Sequence, residues 1–179
     1  MKLKMSLLVM SLGVTLLLLF GGYAVYTDLW VKKPMLFALQ TDPMVTVKKL
    51  DIQPKRVYLE LIPQKGFSLR RDFPRIHQKI QSIAKNRDVT IHLQDHPNQA
   101  LHNAWYEMSF GLREGIAWKR YTQLKDTVVQ VSEKHRLQAE VLLYEETLIV
   151  GLRQKEYVLY RMLPLQEVRK DDGSFIDRV

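Results

Sequence analysis

The stretch MSLLVMSLGVTLLLLFGGYAVYT, which runs from Met5 to Thr27, decides how this chain is organised. It contains no charged residue over its 23 positions, 5 through 27. A helix of about 20 apolar residues crosses the roughly 30 Å of hydrocarbon in a bilayer. We therefore predict a signal-anchor transmembrane helix over about residues 5–26, within an N-terminal membrane anchor of residues 1–27.

The flanks of this stretch predict its orientation. Tyr23, Tyr26 and Trp30 fall where an aromatic belt would lie at the far interface. Lys2 and Lys4 precede the helix on a very short flank, and such cations tend to stay in the cytoplasm. We expect a single-pass protein of the cell membrane in a bacterial envelope, with its N-terminus cytoplasmic and its folded domain outside.

A cleaved signal peptide is the alternative interpretation of the same segment. Gly22-Tyr23-Ala24 has small residues at the two positions that signal peptidase requires, so cleavage near Ala24 would release a secreted domain. However, the apolar character continues beyond Ala24, and no clear polar region precedes the small residues. The anchor is therefore the favoured interpretation.

The remainder of the chain has globular composition and divides into three parts. Pro34 and Pro43 interrupt residues 28–43, which we predict to be a linker. Residues 44–167 carry all the strong strand and helix patterns and form the predicted soluble domain. Residues 168–179 form a polar C-terminal tail.

Hydrophobic periodicity predicts the elements of this domain. Alternation at period two predicts six strands, near residues 45–47, 57–61, 89–93, 139–144, 148–152 and 157–163. Helical spacing predicts three helices, which begin near Asp72, Asp95 and Thr122. The resulting order is ββ-α-β-α-α-βββ, which indicates an α+β fold with a mostly antiparallel sheet and helices packed on one face.

Residue types exclude several classes of chemistry. The chain has no cysteine, which excludes disulfides, thiolate metal sites and a cysteine nucleophile. No phosphate-binding glycine loop, no nucleophile elbow and no HEXXH helix is present. We predict no catalytic, cofactor-binding or metal-binding residues, and no cofactor.

The most site-like polar cluster is formed by His92, Asp95, His96 and His102. Imidazole and carboxylate groups bind zinc, and they also perform acid/base chemistry in hydrolases. However, their spacing matches no metal motif, and Asp95 and His96 are suitable for capping the helix that follows. A hydrolase using His92, Asp95 and His96 is therefore kept only as an alternative.

The strongest charge asymmetry lies in residues 61–87, which carry seven cations and one acid. Basic surfaces attract anionic lipids and polymers. We expect no nucleic-acid partner, because no nucleic-acid-binding motif is present and the domain is expected outside the cytoplasm. Trp118 adds an aromatic side chain beside two cations, in a place where it could anchor an interface. The candidate interaction surface consists of Lys65, Arg70, Arg71, Arg75, Lys79, Lys85, Arg87, Trp118, Lys119 and Arg120.

Together these observations favour a membrane-anchored, non-enzymatic domain that docks onto a partner protein. Binding of anionic lipid headgroups or wall polymers through the basic helix is the first alternative. On either hypothesis, we expect glutamine at Arg75, Lys79 and Lys85 to change the stability little, because these side chains face away from the isoleucine stripe of their helix.

Overall fold

A computed structural model describes residues 2–166, with side chains from residue 9 onward except that of Ala24. Helix α1, Lys2–Thr27, passes without a break through a π-helical turn, Asp28–Lys32, into helix α2, Lys33–Gln40. In this stretch, residues 9–40 are long and apolar enough to cross a membrane.

Residues 28–40 are helical, although the sequence predicted a linker here. Val31, Met35 and Leu39 are fully buried, and their four-residue spacing places them on one face of the helix. Phe37, in contrast, is 71% exposed. Pro34 lies at the start of α2, directly after the π-helical turn, and a proline there supplies no N–H to the carbonyls of that turn. The C-terminal end of this long apolar helix is therefore part of the folded structure.

The described chain forms two compact units. Unit 1 comprises the residues up to Phe67 together with 75–94, and unit 2 comprises 68–74 together with the residues from Asp95 onward. The α+β class expected from the sequence is confirmed. The strands form two three-stranded sheets, however, rather than a single one.

Unit 1 contains the sheet β1-β2-β3. Strand β1, Val45–Ile52, pairs antiparallel with β2, Arg56–Pro63, and β2 pairs parallel with β3, Asp88–Leu93. Helix α3, Leu69–Ala84, connects β2 to β3. The buried face of the sheet carries Val57, Leu59 and Leu61.

Helix α3 begins at Leu69, three residues before the predicted start. The carboxylate of Asp72 reaches back and accepts a hydrogen bond from the Ser68 backbone N–H at 2.8 Å. This contact satisfies a donor that the helix itself leaves unpaired at its first turn.

Unit 2 contains two helices and an antiparallel sheet of order β4-β5-β6. The helices are α4, Gln99–Ala117, and α5, Tyr121–Lys134. The strands are β4, Gln138–Tyr144, β5, Thr147–Gln154, and β6, Tyr157–Pro164. Its hydrophobic core consists of Leu101, Ala104, Met108, Leu112, Leu124, Val128, Val131, Leu148, Val150, Leu152 and Leu159. The predicted tail, residues 168–179, lies outside the described residues.

Helices α4 and α5 approach each other closely where α4 carries glycine. A Cβ atom on Gly115 would lie 2.5 Å from Cδ2 of Leu124, and one on Gly111 would lie 2.9 Å from Cγ2 of Thr127. No Cβ atom fits at such distances unless the neighbouring atoms move. The two glycines therefore set the spacing of the helix pair.

Candidate functional site

Two cations of the candidate surface hold the end of α2 within unit 1. The Arg75 guanidinium forms a two-pronged ion pair with the Asp42 carboxylate, in which Nη2 lies 3.1 Å from Oδ1. The Lys79 ammonium donates to the backbone carbonyl of Ala38 at 2.7 Å. Cations suit this position because the last carbonyls of a helix are unpaired and carry partial negative charge. Arg75 and Lys79 are thus engaged in intramolecular contacts.

Asp42 is the centre of this arrangement, because its side chain is only 1% exposed. The hydrogen bond from Arg75 lowers the pKa of the Asp42 carboxyl, and a hydrogen bond from the Met44 backbone N–H adds to this effect. Burial acts in the opposite direction, but the pKa still falls below its usual value. Asp42 is therefore ionised at neutral pH and keeps its partner.

Arg70 and Arg71 lie in the first turn of α3, in unit 2. Arg70 Nε donates to the carbonyl of Val141 on β4 at 3.1 Å. Arg71 forms an ion pair with Asp72, with Nη2 3.0 Å from Oδ2. Both arginines are exposed, yet both make contacts within their own unit.

The remaining cations of residues 61–87 belong to unit 1. Lys65 is exposed in the loop after β2, and Lys85 is exposed just beyond α3, where its φ of 57° continues the chain out of the helix. Arg87 is half-buried, and its Nη1 donates to the Ala84 carbonyl at 3.4 Å. Arg75 and Lys79 thus make contacts within unit 1, whereas Lys65 and Lys85 are exposed to solvent.

Two residues of the predicted histidine cluster, Asp95 and His96, make structural contacts within unit 2. Asp95 accepts a hydrogen bond from Arg161 Nη1 at 2.6 Å and one from the Tyr160 backbone N–H at 3.3 Å. His96 bridges to Val158 through its backbone N–H, at 3.1 Å. His92 is exposed on β3. Among residues 2–166, no group of three histidine, aspartate or glutamate side chains could hold a metal ion.

The turn between α4 and α5 presents Trp118, Lys119 and Arg120. Trp118 ends α4 and is 68% exposed. Lys119 and Arg120 are exposed beside it, and Lys119 has a φ of 53°, as tight helix connections require. An exposed indole at this turn is available to a partner.

Sequence reasoning missed an exposed aromatic pair on α4. Tyr106 is 68% exposed and Phe110 is 62% exposed, and their rings meet edge to face with centroids 5.2 Å apart. They are one helical turn apart and lie opposite the core residues Met108 and Leu112. The signal was available, since two aromatic residues at i and i+4 fall off the apolar stripe of this helix.

Charges border the aromatic pair. Arg113 and Glu114 are exposed at the next turn of α4. Glu107 also lies beside Tyr106, but its carboxylate hydrogen-bonds with His135 Nε2 at 2.8 Å and accepts from Lys134 Nζ at 2.6 Å. These two contacts lower the pKa of Glu107. The result is an apolar centre with a polar rim of nearly balanced charge, which is the usual composition of a protein interface.

Comparison of the chain with protein-family profiles, with curated proteins and with solved structures finds no match.

Proposed function

We propose that this chain is a membrane-anchored docking module, without enzymatic activity, that binds a partner protein through the outer face of α4. The observation that carries the proposal is the exposed pair Tyr106–Phe110. Large aromatic side chains supply most of the binding energy of many interfaces. Two such side chains in contact with each other on the surface form an apolar patch, and patches of this kind mark interaction sites. A partner that covers them recovers this hydrophobic free energy.

The N-terminal helix supports the proposed membrane attachment. Residues 9–40 are long and apolar enough to cross a bilayer, and none of the most apolar window is buried in the fold. The folded units then lie beside the membrane, outside the cytoplasm under the orientation that Lys2 and Lys4 favour.

A protein partner fits the aromatic pair better than an anionic lipid or polymer does. The charges beside the pair, which are Arg113, Glu114 and Glu107 with its partner Lys134, nearly balance, so the rim offers little net attraction for negative charge. Lipid or polymer binding through α3 has also lost two of its expected contacts, because Arg75 and Lys79 are engaged within unit 1.

Site-specific photo-crosslinking in native membranes tests the proposal. A photoreactive amino acid at position 110 should give one adduct of defined mass, whereas the same group at Gln130, which is exposed on α5, should not. The substitution Tyr106→Ser should abolish the adduct, since the two rings act as one surface. Adducts of equal yield from positions 110 and 130, or an adduct that survives Tyr106→Ser, would refute the proposal.

A further inference from the structure

A groove of about 620 Å³ lies between α2 and β1 in unit 1. Lys32, Leu36 and Gln40 form its helical wall, at i, i+4 and i+8, over about 12 Å of helix. Residues 45–48 of β1 form the opposite wall. A strand of about four residues has the same length.

The wall on the β1 side is the edge of a sheet. Among the described strands, β1 pairs with β2 alone. The Gln64 N–H donates to the Met44 carbonyl at 2.8 Å, so these opposite residues form a hydrogen-bonded pair. Because such pairs alternate along an antiparallel ladder, the backbone N–H and C=O groups of Val45 and Val47 point away from β2. They form a short row of groups that can accept another strand.

The floor and rim of the groove indicate the side chains that fit. Leu36 and Val47 are half-buried and provide apolar contacts. The charged lining residues are Lys32, Lys48 and Asp42, and the charge of Asp42 is already matched by Arg75. Since β1 runs back along α2 after the turn at residues 41–44, Lys32 and Lys48 both lie toward the end of the groove that is far from this turn. Lys48 contacts Glu60 at 2.8 Å, whereas Lys32 lies 4.0 Å from Asp28, so Lys32 is the less committed of the two cations.

We infer that this groove binds an extended, acidic segment of a protein, which adds as a short strand to the edge of β1. Strand addition supplies backbone hydrogen bonds, while side chains that alternate in direction meet the apolar floor and the lysines. The segment would be about four to six residues long, because the β-bulge at residues 47–49 ends the regular edge. This site is independent of the aromatic pair on α4.

A fluorescent peptide tests the inference on the full-length chain in detergent micelles. The probe is an acetylated hexapeptide that alternates valine and glutamate, and its binding is followed by fluorescence anisotropy. A peptide with lysine in place of glutamate tests charge. A peptide that is N-methylated along one edge tests the backbone contacts. Each control peptide should bind at least about tenfold more weakly, which is the effect of losing one hydrogen bond or ion pair of ordinary strength.

Two protein variants test the site itself. Val47→Pro removes an N–H that points outward, so it should weaken binding of the glutamate peptide by about tenfold or more while the thermal unfolding curve changes little. Lys32→Glu should weaken the glutamate peptide and strengthen the lysine peptide. The double variant Tyr106→Ser/Phe110→Ser should bind the glutamate peptide as the wild type does, which separates this site from the proposed docking face.

Four results would overturn the inference: no binding of the glutamate peptide, equal binding of all three peptides, wild-type binding by a folded Val47→Pro variant, or loss of binding in the Tyr106/Phe110 variant. Binding of an anionic phospholipid in mixed micelles that Lys32→Glu abolishes, with no binding of the glutamate peptide, would assign the groove to lipid instead.

Discussion

Arg75 on α3 forms a two-pronged ion pair with Asp42, which lies just beyond the end of α2. The two side chains differ in exposure, since Asp42 is 1% exposed and Arg75 is 47% exposed. Loss of Arg75 would therefore leave Asp42 buried without its partner, whereas loss of Asp42 would leave Arg75 in contact with solvent. A buried carboxylate without a partner is costly, whereas a half-exposed guanidinium can be hydrated.

Arg75→Gln should consequently destabilise the fold more than Asp42→Asn. We expect about 1–3 kcal/mol for the arginine change, and about 1 kcal/mol or less for the aspartate change, because asparagine retains the oxygen that accepts from Met44. Chemical unfolding followed by tryptophan fluorescence gives both values. Lys85→Gln, at an exposed cation beyond the same helix, is the matched control and should be neutral. Equal losses of unfolding free energy for Arg75→Gln and Lys85→Gln would contradict a structural role for the ion pair. They would instead agree with the expectation from the sequence, that glutamine at these positions changes the stability little.

The same pair predicts part of the acid sensitivity of the protein. The pKa of Asp42 is lower in the folded state than in the unfolded chain. Its stabilising contribution is therefore complete above the unfolded value of about 3.9, and it is lost as the pH falls through the folded pKa. The unfolding free energy of the wild type should fall more steeply than that of Asp42→Asn below about pH 4. Parallel curves for the two proteins across pH 7 to pH 2.5 would show that this ion pair makes no such contribution.

Gly115 should not tolerate alanine, although alanine normally stabilises a helix by about 0.5–1 kcal/mol relative to glycine. The new Cβ would lie 2.5 Å from Leu124, which is 1% exposed and cannot move away freely. We expect Gly115→Ala to cost about 1–3 kcal/mol in chemical unfolding. A stabilised variant would show that the helices can separate without penalty.

Gly111 offers a matched substitution to alanine in the same helix. A Cβ atom at this position would contact Thr127, which is only half-buried. Gly111→Ala should cost less, and the added substitution Thr127→Ala should remove most of that cost. Costs that simply add in the double variant would argue against contact at this point.

The buried end of the long N-terminal helix predicts where the chain can be shortened. A fragment beginning at Asp28 retains Val31, Met35 and Leu39 and should be soluble and folded, whereas one beginning at Met44 should be unfolded or strongly destabilised. In the full chain, Met35→Ala should cost about 2–5 kcal/mol. Phe37→Ala, at a side chain that is 71% exposed, should change the stability by about 0.5 kcal/mol or less. A stable fragment 44–179 would refute this prediction.

The proposed orientation can be measured because the chain has no cysteine. A single cysteine at Glu156, which is exposed in the turn between β5 and β6, should react with a membrane-impermeant maleimide on intact cells. A cysteine at Lys2 should react only after lysis. Loss of the Lys2 label from the mature protein would indicate cleavage near Ala24, and labelling of Glu156 only after lysis would reverse the orientation.

Local sequence patterns predicted the helices and strands better than they predicted which of these elements pair or pack together. The alternation of Val57, Leu59 and Leu61 identifies β2, because one face of that strand is buried. The same alternation does not say which strands pair, and the division into two sheets was not foreseen. Pro34 and Pro43 predicted a linker over residues 28–43, but residues 28–40 are helical, with Pro34 directly after the π-helical turn.

The candidate site was only partly predictable for a related reason. A helical projection shows that Arg75 and Lys79 face away from the isoleucine stripe of α3, but it cannot show that the end of α2 approaches that side. Trp118 is exposed, as the sequence suggested. Tyr106 and Phe110 lie off the apolar stripe of α4, and that stripe predicts only the buried face of the helix.

Because the helix continues without a break from α1 into α2, unit 1 has a fixed distance from the proposed membrane segment and a fixed rotation about the helix axis. One residue inserted between Thr27 and Val31 would turn the unit by about 100° and raise it by about 1.5 Å, while seven residues would restore the direction to within about 20°. Binding to a partner that is itself held in the membrane should therefore depend on how far an insertion rotates unit 1, rather than on how many residues are inserted.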